Sequence, residues 1–98
     1  MENRDYLIIL YDYYGDLLSE DNKNYFEDYY FDNLSLAEIA QNNNVSRNAV
    51  HKHIKSTQEK LNFYESKLKL LEKDTKVKEK INGLKDELLK EKILEILD

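Results

Sequence analysis

Cysteine, proline and tryptophan are absent from the 98 residues, and glycine occurs twice. Without cysteine there is no disulfide framework, no thiolate metal site and no cysteine nucleophile, which suits a reducing cytoplasm. With three valines, two threonines and no proline, strand and turn signals are scarce, whereas leucine, lysine and glutamate favour helix. The expected class is all-α. Long apolar runs are missing too: Leu7 to Tyr11 is far short of the roughly 20 residues that a membrane span needs. Met1 to Asp5 carries no basic leader start, so the expectation is a cytoplasmic protein with no membrane partner.

Twenty acids against fifteen bases give a net charge of −5, which taken alone argues against nucleic acid. Divided along the chain, the charge reads differently. Residues 1–34 hold nine acids and two bases, a net of −7; residues 35–73 hold four acids and seven bases, a net of +3; residues 74–98 are near neutral at −1. The middle of an acidic protein is basic.

Tyr6, Leu7, Leu10, Tyr14 and Leu17 share one helical face, with Gly15 as a kink or end. Ser19 predicts the cap of a second helix, with Glu20 and Asp21 in its first turn and Tyr25, Phe26, Tyr29 and Tyr30 on its inner face. Asp32-Asn33 reads as its exit. Eight tyrosines invite a base-stacking role, but Glu27, Asp28 and Asp32 would repel phosphate among them, so core packing is the better reading. Ser35 opens a short third helix to Asn42, Asn43-Asn44 marks a turn, and Ser46 caps a fourth helix with no visible breaker before Lys73. Asp74-Thr75 is the next capping break, followed by a last helix through Val77, Ile81, Leu84, Leu88, Ile93, Ile96 and Leu97.

Residues 35–56 have the grammar of a helix-turn-helix. Ala40 is small where two helices must cross, Ile39, Val45 and Val50 form the plug between them, and Asn44 stands where a left-handed residue is needed. Arg47, Asn48, His51, Lys52 and Lys55 then fall on one polar face of the second helix. Arginine and asparagine are side chains that read guanine and adenine edges, while Lys52 and Lys55 suit phosphate. Ser35, at the start of the preceding helix, and the cap Ser46 complete the candidate nucleic-acid-binding set. A merely solvated face is the plain alternative, because three full positive charges support only weak, salt-sensitive binding. His51 and His53 point about 200° apart on a helix and cannot share a metal, so no metal or other cofactor is expected. No glycine-rich phosphate loop or nucleophile constellation is present, and the expectation is not an enzyme.

Residues 5–72 resemble the YlxM-type bacterial proteins, most specifically in Tyr25-Phe26-Glu27-Asp28-Tyr29-Tyr30, Leu36-Ala37-Glu38-Ile39-Ala40 and Val45-Ser46-Arg47-Asn48-Ala49-Val50. The resemblance implies a helix-turn-helix bundle of the sigma region 4-like, winged-helix-like kind, with a long C-terminal helical extension. It also implies double-stranded DNA as partner, a homodimer, and an association with the signal recognition particle pathway, inferred for the family from gene neighbourhood. His51-Lys52-His53 departs from the family's reading face, so no target sequence carries over. The expected division is a helix-turn-helix domain over 1–58 and a dimerisation tail over 59–98. Leu61, Tyr64, Leu68 and Leu71 have seam spacing, as do Leu89, Ile93 and Ile96. The same stripes serve equally for a tail folded back within one chain. Two functions stand side by side: a DNA-binding regulator, or a non-enzymatic accessory protein that contacts the particle's GTPase or its RNA without specific DNA binding.

Overall fold

The computed structural model describes residues 4–84 and 87–97. Among them there are six α-helices, one 3₁₀ turn and no strand: α1 (Arg4–Tyr14), α2 (Glu20–Tyr30), α3 (Leu36–Asn43), α4 (Arg47–Leu68), α5 (Leu70–Asn82) and α6 (Glu87–Leu97). They form two compact units, Met1–Leu68 and Lys69–Asp98.

In the first unit, α1 buries Leu7, Leu10 and Tyr14, three of the five positions its periodicity predicts. The helix stops at Gly15, and a 3₁₀ turn over Gly15–Leu17 advances each residue by about 120° instead of 100°. After the turn Leu18 is extended (φ −86°, ψ 156°) and leaves the helical register, and the apolar face moves on by one residue: Leu17 is 56% exposed and Leu18 is buried. Gly15 leaves room for the Tyr11 ring: a Cβ there would stand 3.2 Å from it, and the ring would have to give by a few tenths of an ångström.

Ser19 caps α2 by accepting the Asn22 N–H at 3.2 Å. The tyrosines that follow are core: Tyr25 and Tyr30 are buried, and Phe26 is stacked on Tyr11 at 4.5 Å and lies 4.4 Å from the tilted Tyr30 ring. Asn33, at φ 56°, makes the predicted exit turn. Arg4 ties the two ends of this pair together, donating to the Tyr30 carbonyl and to Asn33 Oδ1 at 2.8 Å.

α4 is the central element, packed against α1, α2 and α3 through Val50, Ile54, Thr57 and Leu61. This spacing of four, three and four keeps one face inward over three turns. The Thr57 hydroxyl is satisfied by the His53 carbonyl at 2.8 Å. Tyr14, buried in the core, donates to Glu65 at 2.5 Å, so α4 belongs to this unit well beyond residue 58. The expected domain boundary at 58 is therefore displaced to Lys69. Leu61, expected in a dimer seam, is fully buried in the chain's own core.

α4 ends at Leu68 and does not continue to Lys73, because Lys69 takes the left-handed conformation (φ 56°, ψ 34°). The anticipated break at Asp74-Thr75 lies inside α5. The anticipated last helix is likewise two, divided at Gly83, whose N–H closes α5 on Glu79 and Lys80. Leu97 of α6 lines one small hollow with Asp74, Val77 and Lys78 of α5, so these two helices run antiparallel, while Leu89 and Ile96 of the predicted seam stay exposed. No helix among the described residues is long and apolar enough to cross a membrane.

Candidate nucleic-acid interface

The helix-turn-helix is built by capping at both ends of its turn. Asn44 ends α3 in the left-handed conformation (φ 53°, ψ 42°), which lets the Val45 N–H reach back to the Ala40 carbonyl at 3.1 Å. Ser46 opens α4 by accepting the Ala49 N–H at 3.0 Å. The crossing is closed by Ile39, Ala40 and Val50, all buried. Val45 is not part of that plug: it is 38% exposed, because the reversal that satisfies the Ala40 carbonyl turns its side chain to the rim.

Arg47, Asn48, His51, Lys52 and Lys55 are all exposed. At 100° per residue they cover an arc of about 140°, on the side of α4 away from Val50, Ile54, Thr57 and Leu61, and extend about 12 Å along its axis. None of Arg47, Lys52 and Lys55 has an ion-pair partner among the described residues. Three cations with uncompensated charge at the start of one helix suit a polyanion. Glu59, four residues beyond Lys55 on the same face, sets the limit of the basic patch.

The two histidines separate as their spacing requires. His51 stands in the exposed arc, while His53 lies against Tyr25 at 4.9 Å between ring centroids, its Nδ1 2.9 Å from the buried Asn22 side chain. His53 thus holds α4 to α2. Ser35 acts as a cap: its hydroxyl accepts the Glu38 N–H and its own N–H donates to the Glu38 carboxylate, both at 3.1 Å. A carboxylate therefore already occupies the start of α3. The spacing Ser-x-x-Glu at residues 35 to 38 carries that signal in the sequence.

Two features have no motif to announce them. Arg4 sets its guanidinium over the Tyr30 ring at 5.5 Å, across 26 residues of sequence. The other is the acidity of the α1–α2 surface, where Asp12, Asp16, Glu20 and Glu27 line one hollow, and Glu27, Asp28 and Asp32 line another beside the exposed Phe31. The charge count over residues 1–34 and the acids interleaved with the aromatics of α2 hint at it.

Residues 1–97 match the family described as "Putative helix-turn-helix protein, YlxM / p13 like" (UPF0122). Among curated relatives, the chain is 44% identical over 87 residues to a UPF0122 protein of Malacoplasma penetrans (strain HF-2), covering 89% of this chain and 81% of that protein. It is 45% identical over 95 residues to one of Clostridium acetobutylicum (95% and 82% covered) and 47% identical over 77 residues to the UPF0122 protein YlxM of Bacillus subtilis (strain 168) (79% and 70%). An all-helical chain with this turn, over nearly its whole length, belongs to the YlxM/p13-like helix-turn-helix family.

Proposed function

We propose that this chain is a non-enzymatic DNA-binding regulator of the cytoplasm, with α4 laid in the major groove of duplex DNA. One observation carries the reading: Arg47, Asn48, His51, Lys52 and Lys55 form an exposed arc whose cations have no counterion among the described residues. Arg47 and Asn48, in the first turn, are placed to meet base edges, and Lys52 and Lys55 to meet phosphates. Three cations cap the affinity, so a pair of chains is the working unit. The second unit is the proposed pairing element, because Leu88, Leu89 and Ile96 remain 65%, 49% and 83% exposed on α6. The proposed unit has a mass about twice the 11.8 kDa of one chain by light scattering, and Ile96→Lys returns it to one. A persistent mass near 11.8 kDa at micromolar concentration refutes the pairing.

The test of binding is a fluorescence anisotropy titration of mixed-sequence duplex DNA at low salt. Arg47→Ala combined with Lys52→Ala is expected to abolish binding, whereas undiminished binding by that variant removes α4 as the reader.

A second reading follows from the acidic α1–α2 surface. There the chain serves the signal recognition particle pathway by contacting the GTPase, since the carboxylates about Phe31 favour a basic protein partner and repel RNA. Co-purification of the GTPase at physiological salt, with no DNA affinity, distinguishes it from the first.

A further inference from the structure

Two hollows flank the N-terminal half of α4 and share Leu36 and His51. One, of about 250 Å³, reaches Arg47 and Asn48; the other, of about 500 Å³, reaches Arg4, Tyr29, Lys55 and Gln58. Together they make one open trough that follows α4 from Arg47 to Gln58, about 16 Å at 1.5 Å per residue. Among the described residues no carboxylate lines either part, whereas Asp12, Asp16, Glu20 and Glu27 line one of the hollows on the α1–α2 surface.

Arg4 enters this trough from a different element and a distant part of the sequence. Its two acceptors, the Tyr30 carbonyl and the Asn33 amide oxygen, are neutral and both engage Nη2. The charge is left uncompensated among the described residues, and the N–H groups of Nη1 and Nε remain to donate. Held by two hydrogen bonds and the Tyr30 ring, the guanidinium loses little further freedom when it meets a ligand. A planar, preorganised arginine in a trough without carboxylates matches phosphate better than a base edge or an apolar partner.

The geometry points to this trough as the path of one DNA strand's sugar-phosphate backbone, with Arg4 as a phosphate-binding residue outside the helix-turn-helix. The inference rests on the DNA-binding reading above and adds a contact that α4 alone does not supply.

The test measures anisotropy of a labelled mixed-sequence DNA duplex between about 50 and 200 mM salt, where each phosphate contact adds about 0.9 to the slope of log K against log salt. Arg4→Gln is expected to lower that slope by about 0.9, and Arg4→Lys to preserve it. Gln58→Lys, which adds a cation to the same trough, is expected to raise it by a similar amount and keeps the test decisive if Arg4→Gln loses its fold. An unchanged slope in a folded Arg4→Gln or in Gln58→Lys, while Lys52→Gln lowers it, overturns the trough and leaves α4 as the DNA contact. No binding by the unaltered protein at about 50 mM salt overturns the functional reading itself. An RNA stem that binds as tightly, with the same dependence on Arg4, overturns the assignment to DNA.

Discussion

The first unit holds twelve of the thirteen buried apolar side chains among the described residues, and the second holds Ile81 alone. Helix content does not explain the difference, for both are helical almost throughout. In α4, Val50, Ile54 and Leu61 meet three other helices, so each inward position finds walls on several sides. In the second unit α5 and α6 have only each other among the contacts of that unit, and two helices cannot enclose a stripe. Fully burying a leucine or isoleucine contributes about 1.5–3 kcal/mol, which the first unit gains repeatedly and the second gains once. The first unit therefore carries its own stability. The second presents surface, which is the physical basis for the proposed pairing role.

The sharpest way to break this comparison is to truncate one core leucine and one tail isoleucine. Leu61→Ala removes a fully buried side chain and should cost about 2–5 kcal/mol, read as a fall in the urea midpoint of the main transition. Ile81→Ala should leave that transition within about 0.5 kcal/mol and change only the second unit's helicity or its amide exchange. An equal loss from both substitutions makes the chain one cooperative body and dissolves the distinction. Leu61 is the informative core site because it lies beyond residue 58, where the sequence reading places the end of the domain and the start of the tail.

Much of the first unit is legible in the sequence because serine caps leave a compositional mark. Ser19, Ser35 and Ser46 each accept a backbone N–H three residues on, and α2, α3 and α4 begin where the sequence places them. Helical periodicity also delivers the polar arc of α4, the part of the candidate site that reading from sequence does best. The failures are physical as well. Leu68-Lys69-Leu70 contains only good helix formers, so a left-handed lysine leaves no trace in composition. Leu17 and Leu18 exchange places because Leu18 is extended and breaks the helical register after the 3₁₀ turn, and one residue of slip suffices. Arg4 finds its acceptors 26 and 29 residues away, a tertiary pairing that no local pattern encodes.

Capping offers a second, smaller contrast between the units. Ser46 satisfies the Ala49 N–H, so Ser46→Ala should cost about 1 kcal/mol and loosen the first turn of α4, the turn that carries Arg47 and Asn48. Its start in the second unit is different in kind: Lys69 precedes α5 in the left-handed conformation with no side-chain cap. Lys69→Gly should therefore not destabilise, and relief of the left-handed strain should offset the added backbone freedom to within about 1 kcal/mol. Matched thermal melts decide the point. A loss for Lys69→Gly as large as that for Ser46→Ala means that the lysine makes a stabilising contact at the break.

The smallest expected effect appears only in alkali, and it too separates the units. Tyr11 lies against Phe26 with Glu27 nearby, and burial, then the Glu27 charge and its hydrogen bond, push the phenol from 10.0 up to about 12. Its folded value lies above its unfolded one, so the contribution is full below pH 10 and is lost as pH rises toward 12. In the second unit the Glu72–Lys76 pair at 2.9 Å lies on the surface and lowers the carboxyl while raising the ammonium. Solvent screens that pair, so it gives the tail little pH dependence of its own in this range. Tyr11→Phe keeps the ring on Phe26 and removes the titrating hydroxyl; its stability at pH 7 should stay within about 1 kcal/mol of the parent. Between pH 10 and 12 the variant should lose less stability than the parent, measured by urea unfolding at each pH. Parallel losses in the two proteins show that the alkaline transition does not pass through Tyr11, and the α1–α2 contact then has no share in it.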